Sequence, residues 1–191
     1  YLVESTSDEE LRLNRHDLFY GFIGKAITVI EHDCILAKPF ALRIVDSLTK
    51  VVKKDSRGLY WETPDLFLKK ERTINLGIPH GICGIVLFLL KCCDLYKIHD
   101  KLFPTLEGWK DWLIALANEE ENKILYSYSD LASGTGKLGW CYGDQAIIYT
   151  LLRYDETFNS REAKSKAYEL VEQTALKPIE ETGVKYYAKY G

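Results

Sequence analysis

His80-Gly81-Ile82-Cys83-Gly84-Ile85-Val86-Leu87-Phe88-Leu89-Leu90 is a glycine-led turn that runs straight into unbroken apolar sequence. Two similar stretches flank it in the chain. Tyr20-Gly21-Phe22-Ile23-Gly24-Lys25-Ala26-Ile27-Thr28-Val29-Ile30 comes before, and Tyr142-Gly143-Asp144-Gln145-Ala146-Ile147-Ile148-Tyr149-Thr150-Leu151-Leu152 comes after. Gly21 and Gly81 are 60 residues apart, and Gly81 and Gly143 are 62 apart. A period of that size marks one supersecondary unit repeated. The units are expected to start near residues 17, 77 and 139, and residues 1–191 read as one domain.

Within each unit the apolar spacing is helical. After Gly24, the positions Ile27, Val29 and Ile30 lead through Ile35 and Leu36 toward an expected break at Pro39. Phe40 to Val52 follows as a second helix, with Leu42, Val45, Leu48 and Val52 at three- and four-residue steps. In the second unit Gly84 to Tyr96 is apolar almost all round and should be buried on most sides. Phe103 to Asn118 is its amphipathic partner, with Trp109, Trp112, Leu113, Leu116 and Ala117 on the apolar side. The third unit pairs Gln145 to Tyr154 with Ser160 to Thr174, where Ser160 is placed to cap the helix and Glu162 lies in its first turn. Short strands are expected around Leu59-Tyr60-Trp61 or Ile124-Leu125-Tyr126. Nearly all-apolar inner helices, each followed by an amphipathic outer one, predict an all-α fold. The expected architecture is an α/α toroid or solenoid, incomplete in this chain.

Composition narrows the class further. A net charge of −3 argues against a nucleic-acid footprint, and Lys50, Lys53, Lys54 and Arg57 read as a solvated surface turn. The most apolar run ends at Lys91, well short of the roughly 20 residues a spanning helix needs. The opening Tyr1-Leu2-Val3-Glu4 does not resemble a secretory signal. Cys34, Cys83, Cys92, Cys93 and Cys141 are odd in number and lack small-scaffold spacing, which fits a reducing compartment and a cytoplasmic location. The chain has no Met and begins with Tyr1, so it reads as an excised segment or as a chain whose Met residues were replaced.

The chemistry-bearing residues sit just ahead of the glycines: Asp17, His80 and Cys141. Inner helices starting there present free backbone N–H groups and partial positive charge to a common region. Cys141, at a loop-to-helix junction, is a candidate metal ligand or nucleophile, or else a small buried hydrophobe. His80 is suited to acid–base work or to a structural hydrogen bond. Asp17 reads as a helix N-cap or a general base. Cys92 and Cys93 are adjacent in a helix and point to different faces, so they do not share one metal. Cys83 belongs to the core, and His16, His32 and His99 show no partner from sequence.

Asn75-Leu76-Gly77-Ile78-Pro79-His80-Gly81-Ile82-Cys83-Gly84 and Gly139-Trp140-Cys141-Tyr142-Gly143-Asp144 resemble two signature motifs of the lanthionine synthetase C-like (LanC) family. Asp17-Leu18-Phe19-Tyr20-Gly21-Phe22-Ile23-Gly24 is similar to a third, looser element. The resemblance spans most of the chain. It implies an α/α toroid around one catalytic zinc, with Cys141 as a ligand and two more ligands from a later Cys-His-Gly motif. No such motif occurs in this sequence. An open three-ligand zinc lowers the pKa of an incoming thiol, which then attacks a dehydroalanine or dehydrobutyrine. The resemblance further implies that His80 protonates the resulting enolate with Asp17 assisting, that the substrate is a dehydrated precursor peptide, and that a dehydratase is a partner.

Three functions follow as expectations. The first is a zinc-dependent cyclase that forms (methyl)lanthionine thioethers in lantibiotic-type peptides, with its missing Cys-His ligands outside this chain. The second is a catalytically degenerate toroid that binds peptide or glutathione-type thiols. The third is a carbohydrate-active α/α-barrel enzyme working through two carboxylates, Asp17 and Asp144.

Overall fold

The computed structural model describes residues 16–32, 35–63, 73–119, 138, 143–179 and 182. Among these the fold is all-α apart from one small hairpin. The helices are α1 (Phe22–Glu31), α2 (Ala37–Val51), α3 (Ile82–Tyr96), α4 (His99–Glu119), α5 (Asp144–Phe158) and α6 (Arg161–Ala175). The strands β1 (Lys53–Lys54) and β2 (Leu59–Tyr60) pair antiparallel between α2 and α3. The expected strand at Leu59-Tyr60 is therefore present, and the one at Ile124-Leu125-Tyr126 lies outside the described residues.

The helices stack in pairs. α1 packs on α2, and α5 packs on α6. The inner helices α1, α3 and α5 also touch in sequence, and α3 sits at the centre against α1, α2, α4 and α5. Its sequence dictates that place: Ile82, Cys83, Ile85, Val86, Phe88, Leu89, Leu90, Cys92 and Cys93 are all buried. A helix apolar all round has no solvent face to offer. The outer helices bury one stripe each, such as Phe40, Ala41, Ile44, Val45 and Leu48 on α2. Trp109, Trp112 and Leu113 do the same on α4.

The repeat recurs in the backbone as well as in the sequence. Gly21, Gly81 and Gly143 all stand as extended N-caps with no side-chain capping bond. At the other end, α3 closes at Lys97 and α5 at Asn159, both left-handed with φ near 55° (56° and 54°). Those caps are 62 residues apart, the same interval that separates Gly81 from Gly143. Close packing of backbone accounts for the second glycine of each of the first two units. A Cβ on Gly24 would stand 2.1 Å from the Leu18 carbonyl oxygen, and one on Gly84 would stand 2.1 Å from that of Ile78. Neither backbone can retreat without losing its turn, so only glycine fits.

Two boundaries differ from expectation for physical reasons. α1 ends at Glu31, and α2 starts at Ala37 with Pro39 inside its first turn. A first-turn N–H has no intrahelical acceptor, so proline's missing donor costs little there. α4 begins at His99, one turn ahead of Phe103, because Leu102 extends the buried stripe. The Ser160 cap forms as expected and accepts from the Ala163 N–H at 3.3 Å.

Polar bridges tie the units together. The Lys110 ammonium, 4% exposed, meets Glu107 at 2.9 Å, Asp111 at 3.0 Å and also Glu162 on α6. Burial alone would lower its pKa, but bonds from Glu162, Glu107 and Asp111 outweigh it and hold the charge firmly on. The Tyr154 hydroxyl on α5 donates to Glu107 from the opposite side. In the hairpin, burial pushes the Asp55 carboxyl up. Bonds from the Arg57 side chain and backbone and from Trp112 prevail and set it at about 2. Arg57 is thus engaged by Asp55 at 2.6 Å, while Lys50, Lys53 and Lys54 are solvated, as a surface turn should be. No helix among the described residues is long and apolar enough to cross a membrane.

Candidate functional site

The two glycine-led turns of units one and two lie side by side. The Leu18 N–H donates to the Pro79 carbonyl at 3.0 Å, which brings the start of α1 against the start of α3. Inside the second turn, the Asn75 Oδ1 accepts from the Gly77 N–H at 2.8 Å, and the Asn75 carbonyl accepts from Ile82 at 2.7 Å. Asn75 thereby fixes the loop that carries His80. A Cβ on Gly81 would fall 2.3 Å from that same Asn75 carbonyl.

Asp17 and His80, 63 residues apart, meet at this junction. The His80 Nδ1–H donates to Asp17 Oδ2. A carboxylate can only accept, so Nδ1 is the donor of this bond. The other oxygen of the same carboxylate, Oδ1, accepts from the Phe19 and Tyr20 N–H groups at 2.6 Å each. Asp17 therefore caps its own turn and not a helix; the N-cap of α1 is Gly21. Both side chains are nearly buried, at 10% exposure for His80 and 9% for Asp17.

Aromatic rings border the pair. Tyr20 stacks on His80 with centroids 5.5 Å apart and planes 11° apart. Phe19 stands edge-on to His80 at 5.5 Å and to Tyr20 at 6.4 Å. Neither ring was singled out as a site residue from sequence. The available signal was the register itself, since Tyr20 stands before Gly21 as His80 stands before Gly81.

The remaining candidates separate. Cys141 lies outside the described residues. Asp144 is fully buried at the first position of α5, where a carboxylate suits the helix start. Cys83 is core, and burial drives its thiol up to about 12 despite a hydrogen bond with Thr150. Cys92 and Cys93 are likewise buried and raised to about 12. The other histidines find local partners: His16 bonds Ser47 at 3.2 Å, His32 bonds the Thr28 carbonyl at 2.8 Å, and His99 lies 3.5 Å from Asp94. Among the described residues no three His, Cys, Asp or Glu side chains gather to hold a metal ion, so the described donors alone do not fit a zinc site.

Stacked helix pairs whose first two glycine-started inner helices meet at a carboxylate–imidazole pair define an all-α helical-repeat protein with a polar junction between two inner helix starts. The family model for lanthionine synthetase C-like proteins matches residues 1–183, and the chain belongs to that family. No curated protein matches the chain.

Proposed function

We propose that this protein is a peptide cyclase that adds cysteine thiols to dehydroalanine or dehydrobutyrine, closing (methyl)lanthionine thioethers in lantibiotic-type peptides. The observation that supports this most is the Asp17–His80 pair seated between two inner helix starts. When sulfur adds to the β-carbon, the π electrons of the double bond move toward Cα and its carbonyl. The proton shed by the thiol must end on Cα. His80 Nε2 carries that proton, while Asp17 holds Nδ1–H, orients the ring and offsets the charge of the imidazolium.

A zinc ion in this reading would take Cys141 as one ligand and would need the others from a Cys-His-Gly motif that this sequence does not contain. Bound there, it would make the substrate thiol more acidic. The described residues supply no complete donor set for it, and the proton path through His80 stands on its own. The substrate is a dehydrated precursor peptide, a dehydratase is the partner, the location is cytoplasmic, and residues 1–191 act as one toroid-type domain. Of the competing readings, the carbohydrate enzyme is weakest, because Asp144 is fully buried and Asp17 is committed to His80.

The test uses a dehydrated peptide with one cysteine, quenched with an alkylating reagent. Cyclisation leaves the mass unchanged but removes the thiol, so the alkylated fraction reads the reaction. The wild-type chain is expected to protect the thiol, His80→Ala to slow protection by about a hundredfold or more, and Asp17→Asn by about tenfold. Peptide that binds but stays fully alkylatable would select the degenerate binding toroid instead.

A further inference from the structure

We propose that Asn75 is the positioning residue for His80, an inference that rests on the cyclase reading for its catalytic consequence. Residues 75–80 are all buried, so each backbone N–H in this stretch needs a partner inside the protein. One residue closes the segment. Asn75 Oδ1 accepts from the buried Gly77 N–H at 2.8 Å, and the Asn75 carbonyl accepts from the Ile82 N–H, the first of α3, at 2.7 Å. His80 lies inside the loop closed in this way, and Pro79 beside it is tied to the Leu18 N–H of the first unit at 3.0 Å. The glycine after His80 belongs to the same device. A Cβ on Gly81 would stand 2.3 Å from the Asn75 carbonyl oxygen and 2.6 Å from Oδ1.

The first unit delivers Asp17 in the same manner. Asp17 Oδ1 accepts from the N–H two residues on, that of Phe19, at 2.6 Å, as Asn75 Oδ1 accepts from that of Gly77. Asn and Asp both fold back on their own backbone readily in this kind of turn. Asp17 has a second oxygen left for His80, whereas the hydrogen bonds of Asn75 stay within its own loop. Asn75 therefore acts on the pair only through the backbone that carries His80. Without the Oδ1 acceptor, the Gly77 N–H is left buried and unpaired, and the loop must shift to satisfy it. A misplacement of about 1 Å in a reacting group costs a reaction up to about a hundredfold.

The experiment reads the His80 Nδ1–H directly by nuclear magnetic resonance in protein carrying nitrogen-labelled histidine, with the signal assigned by its loss in His80→Ala. The wild-type chain should show this proton, held against exchange with water by Asp17. Asn75→Ala should lose it, and Asn75→Asp, whose carboxyl still accepts from Gly77, should keep it. Leu90→Ala is the control for stability alone: it opens the core further along α3 and should leave the signal in place. A signal that survives in Asn75→Ala, or that is lost equally in Asn75→Asp or Leu90→Ala, overturns the assignment. Circular dichroism checks that each variant is folded. With a dehydrated peptide, Asn75→Ala should lower kcat by between about tenfold and a hundredfold and leave KM unchanged. An unchanged kcat with a raised KM overturns the positioning role. The spectrum needs no substrate. If the wild-type chain cyclises nothing while the spectra behave as expected, the cyclase reading fails and the placing of His80 by Asn75 stands.

Discussion

α3 and α5 are the same helix written twice, 62 residues apart, and they differ in what covers one face. Cys83, Val86, Leu87 and Leu90 form a stripe on α3 that is buried or half-buried, and Cys83 reaches Thr150 on α5. The same register on α5 reads Gln145, Ile148, Tyr149 and Leu152. There Gln145 and Tyr149 are exposed, Ile148 and Leu152 are half-buried, and the stripe lines an open groove of about 670 Å³ with Val171 and Thr174 of α6. Sequence has tracked the environment: Cys83 has become Gln145, yet three of the four positions remain large and apolar. A unit in this architecture buries one face on the unit before it and offers the next face onward. The pattern of the stripe records its part in the stack more faithfully than its exposure does.

The largest break in that likeness should come from a single methyl group. Gly84→Ala would press a Cβ against the Ile78 carbonyl, whereas Ala146, at the matching position of α5, already carries one and is fully buried. Urea unfolding followed by circular dichroism should show Gly84→Ala losing more than about 3 kcal/mol. Ala146→Gly should lose only about 1 kcal/mol, the helix-propensity difference. A mild Gly84→Ala would mean the α3 turn yields as readily as the α5 turn.

A smaller contrast tests the stripes themselves. Leu90→Ala opens a cavity in a closed core and should cost about 3 kcal/mol. Leu152→Ala, half-buried at the groove, should cost about 1 kcal/mol. Equal losses would show that the α5 stripe is covered in solution.

The finest contrast changes reactivity and leaves stability alone. With burial holding its thiol near about 12, Cys83 should resist iodoacetamide at pH 8, where roughly one part in ten thousand is thiolate. Gln145→Cys, placed on the exposed counterpart, should label readily by intact mass. Labelling of Cys83 in the native protein would reveal that α3 and α5 separate.

Much of this was legible in the chain, because the period, the all-apolar inner helices and the Ser160 cap are local patterns. What escaped depends on geometry that no pattern carries. Pro39 signalled a break, but a proline in a first turn interrupts nothing. The left-handed cap at Asn159 suits its residue type, whereas Lys97 in the same conformation announces nothing in sequence. Asp17 and His80 were each visible as residues ahead of a glycine, and their bond follows only once two turns 60 residues apart are laid side by side. The aromatic pair at 19 and 20 stood in the motifs without a reading of its own, because its contact with His80 also needs the two turns side by side. Cys141 was read from its motif and lies outside the described residues.

The division of Asp17 between its own turn and the histidine of the next unit makes the junction a thermodynamic bridge. Separating units one and two breaks the Oδ2 bond to His80, the Leu18–Pro79 bond and the Tyr20 stack together. A ligand that engages the assembled junction must therefore resist that separation by mass action, so occupancy of the site is read out as cohesion between two helix pairs.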